Sequence, residues 1–295
     1  MGEGTSLPGG DTPDGGMLPR SLSVWSTSAV LIGSTIGSGI FRVPSVAAAE
    51  GGTVGAVALL WLVGGLLTFF GALTVAELAA LFPRPGGIYV YLREAYGPVV
   101  AFVFGWTRLL VIQPALLGGI ALIFAAYART FVPLSEVGVR LVAVAAILLV
   151  GGANYRSMAW GSAIQNLSTV AKVLALVGLS VVIFVLGDGS SGSLDWAGNG
   201  AGTGTGSPGV AGTMGSDAAT TTGWTGFGVA LIAVLWAYDG WADATYVAGE
   251  VRDPERSLPR ALVGGFLVVA VVYLLLNAAY LFVLPIPAMA SSSMV

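Results

Sequence analysis

The sequence predicts an all-α integral membrane protein. About seven helices cross the bilayer, and the first and sixth are interrupted near their middles. Three observations predict this. Of the 295 residues, 56% are hydrophobic and only 9% are charged, whereas a soluble chain carries about 25% charged residues. Lipid is therefore the solvent this composition suits. The apolar residues also fall into runs of the ~20 residues that one crossing requires. Finally, two of those runs contain short irregular stretches, Gly33-Ser34-Thr35-Ile36-Gly37-Ser38-Gly39-Ile40-Phe41 and Leu235-Trp236-Ala237-Tyr238-Asp239-Gly240-Trp241. Irregular backbone at membrane depth is tolerated only where protein or a water-filled cavity satisfies its polar groups.

Composition also narrows the chemistry. The chain has no His and no Cys, which removes the commonest neutral-pH proton carrier, thiolate metal sites, thiol nucleophiles and disulfides. Neither a metal nor a cofactor is expected, and no paired-carboxylate or Ser-Lys spacing suggests an enzyme. The net charge is −3 and no basic block occurs, which argues against a nucleic-acid partner.

Residues 1–22 are rich in Gly, Pro and Asp and read as a flexible cytoplasmic tail without the form of a signal peptide. The expected spans are, in order, Leu22–Ala49, Val54–Phe82, Val99–Ala128, Val137–Gly152, Ala163–Leu186, Trp224–Ala248 and Ala261–Leu284. With the N-terminus inside, Arg20, Arg84, Arg93, Arg156, Arg252, Arg256 and Arg260 are cytoplasmic, while only Arg129 and Arg140 are outside. That asymmetry obeys the positive-inside rule and fits a multi-pass protein of the cell membrane. Residues 187–222 form a Gly/Ser/Thr-rich stretch without Lys or Arg, read as a flexible extracellular loop. The loop separates residues 23–186, with five spans, from 223–295, with two, so that each half begins with an interrupted helix. Interrupted helices at corresponding places point to the binding site of a transporter built from inverted five-helix repeats. Because the second half holds only two spans, the chain is expected to be a C-terminally truncated member of such a group.

Each candidate site residue has a structural alternative. The glycines between Gly33 and Gly39 weaken a helix by about 1 kcal/mol each, and unwinding there would expose N–H donors that attract a carboxylate. The alternative is close packing through a small-xxx-small pair, Gly33 and Gly37. Asp239 is an acidic residue at mid-membrane, which marks function by default. Beside unwound carbonyls it suits an ammonium or guanidinium group, and its alternative is a structural ion pair. Trp236 precedes the second break, where its ring could close over a ligand or simply pack. Lys172, the sole lysine, is too deep to snorkel easily. It is read as a fixed cation in place of a bound sodium ion or as a proton carrier, or alternatively as the partner of Glu77 or Asp243. Arg42, Glu77, Arg108 and Asp243 read as structural pairs. Pro83 to Tyr91 reads as a turn-rich loop, and Glu250 to Arg260 as a charged loop.

At these residues the chain resembles the amino acid–polyamine–organocation superfamily, in particular its L-type amino acid transporter branch. The resemblance is carried by Ile36-Gly37-Ser38-Gly39-Ile40-Phe41, Pro83-Arg84-Pro85-Gly86-Gly87-Ile88-Tyr89, Ala171-Lys172-Val173-Leu174-Ala175-Leu176, Trp236-Ala237-Tyr238-Asp239-Gly240-Trp241 and Gly249-Glu250-Val251-Arg252-Asp253-Pro254. It implies a LeuT-like fold and sodium-independent exchange or uniport of amino acids by alternating access. It further implies that the substrate carboxylate meets the first break, Ser34, Thr35, Ile36, Gly37, Ser38 and Gly39, and that the amine meets Trp236, Ala237, Tyr238 and Asp239. Trp236 would gate, and Lys172 would stand in a sodium site. Asp239 leaves cationic substrates open beside neutral ones. Animal members bind a heavy subunit through a cysteine that this chain lacks, so a disulfide-linked partner is not expected. A non-transporting amino acid receptor and an inactive permease fragment remain the alternative functions.

Overall fold

A computed structural model describes residues 22–156, 158–187, 189, 224–292 and 295. The expected tail lies outside the described residues except for Leu22, and so does the expected loop apart from Gly187 and Gly189. The described residues are helical, with one isolated β-bridge between Leu22 and Val251.

The first expected span is two helices, α1 (Val24–Thr35) and α2 (Gly39–Gly51), bent by 48° across a three-residue break. Ser23 caps α1 by accepting the Ser26 N–H, and Thr53 caps α3 (Val54–Leu81) through the Ala56 N–H. The stretch Pro83–Gly87 forms the expected turn, but helix α4 (Ile88–Tyr96) begins at Ile88. Only the first five residues of that predicted loop carry turn chemistry; the Tyr-Val-Tyr-Leu-Arg-Glu-Ala-Tyr run after Ile88 contains no glycine or proline to stop a helix.

The third span is continuous from α5 (Pro98–Thr107) through a π-helical turn (Arg108–Ile112) into α6 (Gln113–Ala128). Helix α7 (Glu136–Arg156) contains the fourth expected span, and α8 (Met158–Leu186) contains the fifth. The sixth begins as α9 (Trp224–Ala237), turns at Tyr238–Gly240 and continues as a 3₁₀-helix, Trp241–Glu250. Helix α10 (Pro254–Val283) starts inside the predicted charged loop, because Pro254 occupies the first helical turn, where no N–H is needed. A short helix α11 (Ile286–Ser291) follows. Five of these helices are long and apolar enough to cross a membrane, or six with α1 and α2 counted as one broken span.

The core sits around α10, which packs against α3, α1 and α8; α2 packs against α9 and α11. Half of the most apolar stretch of α10 is buried, against 11% for the span from α5 to α6. That span presents Phe102, Trp106 and Leu109 outward, as expected of a lipid-facing surface. At the centre Trp61, Tyr238 and Tyr273 are fully buried and meet edge-on or tilted, with ring centroids 5.1–5.9 Å apart. From this cluster the Tyr273 hydroxyl donates to the Thr35 carbonyl at 2.9 Å. Thr35 is the last residue of α1, so its carbonyl has no helical partner. At the other end of the broken helices Leu22 N–H donates to the Glu250 carbonyl and Arg252 N–H to the Leu22 carbonyl, at 2.8 and 3.0 Å.

Tyr273→Phe keeps the ring and removes the donor. It should lower stability by about 1 kcal/mol, the range for buried hydrogen bonds in membrane proteins, and a thermal-unfolding midpoint in detergent equal to the parent's would contradict that anchor.

Candidate functional site

The site grows from the first break. Ile36 leaves the helix with extended backbone (φ −74°, ψ 95°), and α2 restarts at Gly39. The last carbonyls of α1 lose their helical donors there, and the first N–H groups of α2 lose their acceptors. Lys172, from α8, answers the first deficit: its Nζ donates to the Gly33 carbonyl at 3.1 Å and to the Ile36 carbonyl at 3.0 Å. A cation at the C-terminal end of α1 also opposes the negative end of that helix's dipole. Neither expected acidic partner, Glu77 or Asp243, pairs with Lys172 among the described residues; carbonyls released by the break take that place, and the sequence could not reveal them.

The second break faces the first. The one hydroxyl proton of Ser34 has three carbonyls within reach, that of Gly240 at 2.9 Å and those of Val30 and Leu31 in its own helix. Gly240 has φ +110°, and a Cβ there would stand 2.9 Å from the main chain of Ser34 and Thr35. Only glycine provides both that conformation and that approach. Gly39 also lies close to the second break, since a Cβ on it would meet Ala237 at 3.1 Å and the Trp236 ring at 3.4 Å.

Between the breaks lies a cavity of about 900 Å³. It is lined by Gly33 to Gly39, Lys172, Trp236, Ala237, Asp239 and Gly240, and so by every predicted site residue except Tyr238. Tyr238 is fully buried on the opposite side of its helix, its hydroxyl donating to the Trp61 carbonyl at 3.5 Å. The identity of the residues in a break does not say which of them turns inward, and here the tyrosine turns into the aromatic core.

The small-residue alternative is half right. A Cβ on Gly33 would collide with Thr169 Oγ1 and the Gln165 amide, so Gly33 is where α8 packs; a Cβ on Gly37 would meet nothing within 4 Å. Trp236 is 48% exposed and lines the cavity. Asp239 is exposed to the cavity and holds no ion pair among the described residues. Asp243 is different: it lines the cavity while accepting a hydrogen bond from Arg108 at 2.9 Å, so two of the four residues read as structural pairs are partners.

The far wall was not foreseen. Gln113, Leu116, Leu117, Ile120, Ile123, Phe124 and Tyr127 of α6 line it at helical spacing. That helix is apolar all round, so its sequence carries no stripe to say which face turns inward. The arrangement as a whole offers orphan N–H donors at the start of α2, orphan carbonyls at the end of α9, one unpaired carboxylate and an apolar wall. Those groups suit a small zwitterion with a side chain: carboxylate toward the positive end of α2, ammonium toward the negative end of α9.

Comparison with known proteins gives a concordant result. Residues 22–295 match the family model described as amino acid permease. The serine/threonine exchanger SteT of Bacillus subtilis is 30% identical over 273 residues, covering 92% of this chain and 57% of that protein. The mouse b(0,+)-type amino acid transporter 1 is 35% identical, covering 89% of this chain and 51% of its own length. The human large neutral amino acids transporter small subunit 2 is 31% identical, covering 95% and 50%. The chain thus spans about half the length of the curated relatives it matches.

Gly240→Ala should abolish ligand binding and lower the unfolding midpoint, because the added carbon strikes the Ser34 main chain. Gly37→Leu should leave the midpoint unchanged while blocking binding, because its side chain enters the cavity. Thermal-shift titrations of both variants with leucine check the contrast, and parent-like binding by the Gly37 variant would show that the cavity is not the binding site.

Proposed function

The chain belongs to the amino acid permease family, and from that premise we propose that it forms the substrate-binding half of an amino acid permease working by sodium-independent alternating access. The observation that carries the reading is the pair of opposed helix breaks on one cavity. A half-helix N-terminus suits a carboxylate and a half-helix C-terminus suits an ammonium, which together are the invariant groups of any α-amino acid. Residues 23–186 would be the first repeat of a LeuT-like inverted bundle with about seven helices in this chain, and 223–295 would begin the second. The N-terminus would be cytoplasmic in the cell membrane.

In this reading the N–H groups from Gly37 to Gly39 receive the substrate carboxylate, and the carbonyls from Trp236 to Asp239 receive its amine. The Trp236 ring, in contact range of Gly39, closes over the side chain. Lys172 holds the carbonyls that a sodium ion would otherwise need to coordinate, so that no such ion is required. The apolar face of α6 favours neutral side chains, and Asp239 admits a cationic one. The relatives described as a serine/threonine exchanger and as a large neutral amino acids transporter support the neutral part of that range.

Counterflow of leucine and arginine in liposomes containing the complete protein tests the proposal; saturable binding without counterflow would turn the reading toward a receptor. Asp239→Asn should weaken arginine by at least about tenfold, the worth of ~1.4 kcal/mol, while leucine changes little. Equal losses for both would make Asp239 structural. Lys172→Ala leaves two buried carbonyls without donors, and leucine transport should fall by more than about tenfold. Parent-like, sodium-independent transport by that variant would sink the role given to the lysine.

A further inference from the structure

Arg108 belongs to neither broken helix, yet the structure brings it to the cavity edge. The span from α5 to α6 widens into a π turn at Arg108, where the Gln113 N–H reaches back to the Arg108 carbonyl. The cause is Pro114, which has no N–H and whose ring crowds the carbonyl four residues earlier. A π turn adds one residue to the helix face and rotates the preceding segment against the one after it. Arg108 thereby reaches the 3₁₀ half of the sixth span. Its Nη2 donates to Asp243 Oδ1 at 2.9 Å, and its guanidinium lies over the Tyr246 ring, 4.6 Å from the centroid.

The consequence is one of charge. Asp239 and Asp243 both line the cavity, four residues apart in sequence. Lys172 donates to the carbonyls of Gly33 and Ile36 and forms an ion pair with neither aspartate among the described residues, and Asp243 is held by Arg108. The Arg108 side chain is 23% exposed and that of Asp243 41%, so the pair is partly withdrawn from solvent and weakly screened. We propose that Arg108 sets the charge selectivity of the cavity by neutralising Asp243, leaving Asp239 as the single uncompensated carboxylate that a substrate meets. The site then takes neutral side chains or those with one positive charge. Arg108 is a positioning and specificity-determining residue: it acts through Asp243 and through the field at Asp239.

This inference rests on the amino acid reading above, and its test separates the two. Arginine and leucine are titrated into the complete protein in detergent by calorimetry, and the same variants are assayed for counterflow in liposomes. Arg108→Gln exposes a second carboxylate and should raise the arginine-to-leucine affinity ratio about tenfold; Asp243→Asn leaves the Arg108 charge unanswered and should lower it about tenfold. The double variant should return the ratio to within about twofold of the parent, and Arg108→Lys should keep it. Equal shifts for both ligands in each single variant, or a double variant that fails to restore the ratio, would overturn the proposal and leave the pair as a tether between spans. Opposite shifts without counterflow would uphold the charge role while refuting transport. A parent protein that binds neither amino acid would overturn both.

Discussion

Carbonyls released inside a membrane have to find donors, and the first broken helix of this protein survives because three of them do. Gly33 and Ile36 are met by the Lys172 ammonium and Thr35 by the Tyr273 hydroxyl. Lipid offers no replacement donor, so these bonds are conditions of the fold as much as of any site. They also explain how a lone lysine is accommodated in an apolar helix. Its charge faces the C-terminal end of α1, where helix dipole and orphan carbonyls both favour a cation.

The break then determines the remainder. Because α1 ends where it does, Ser34 is free to tie the two interruptions together through the Gly240 carbonyl. Because the interruptions touch, glycine is required at the crossing, and the space left beside them is lined on one side by main chain and on the other by α6. In the proposed reading, main chain would recognise the groups that all amino acids share, and the side chains of α6 and the two aspartates would face the groups that differ between them. Such a division would let one backbone geometry coexist with variable selectivity, and it would place selectivity on residues such as Arg108, which meets Asp243 and Tyr246 and neither break.

Helical class, membrane character and the position of both interruptions were legible in the sequence, because composition, run length and glycine placement report directly on solvent and backbone. Asp239 and Lys172 stood out in the sequence, since a charge in an apolar run is conspicuous, and both line the cavity together with Trp236. The inward turn of the Tyr238 ring into the aromatic core was not legible, because a non-helical turn has no fixed periodicity from which to read facing. The α6 wall was invisible because a uniformly apolar helix hides its orientation, and Arg108 was only half seen: pairing could be expected, but the π turn that aims it arises from Pro114 acting on the carbonyl ladder behind it. The 3₁₀ winding after Gly240 had no signal at all, as it depends on how the second half of the span seats against α1 and α10.

The two broken helices are joined at two separated points. Midway, Ser34 holds Gly240; at one end, Leu22 pairs through its main chain with Glu250 and Arg252. A body pinned twice cannot pivot freely about either pin. A tilt imposed on α1 is therefore handed to the Trp241–Glu250 segment as a matched tilt, and the pair behaves as one crank with a shared axle. Loosening the end clasp would uncouple the two arms while leaving the central joint, and the cavity around it, intact.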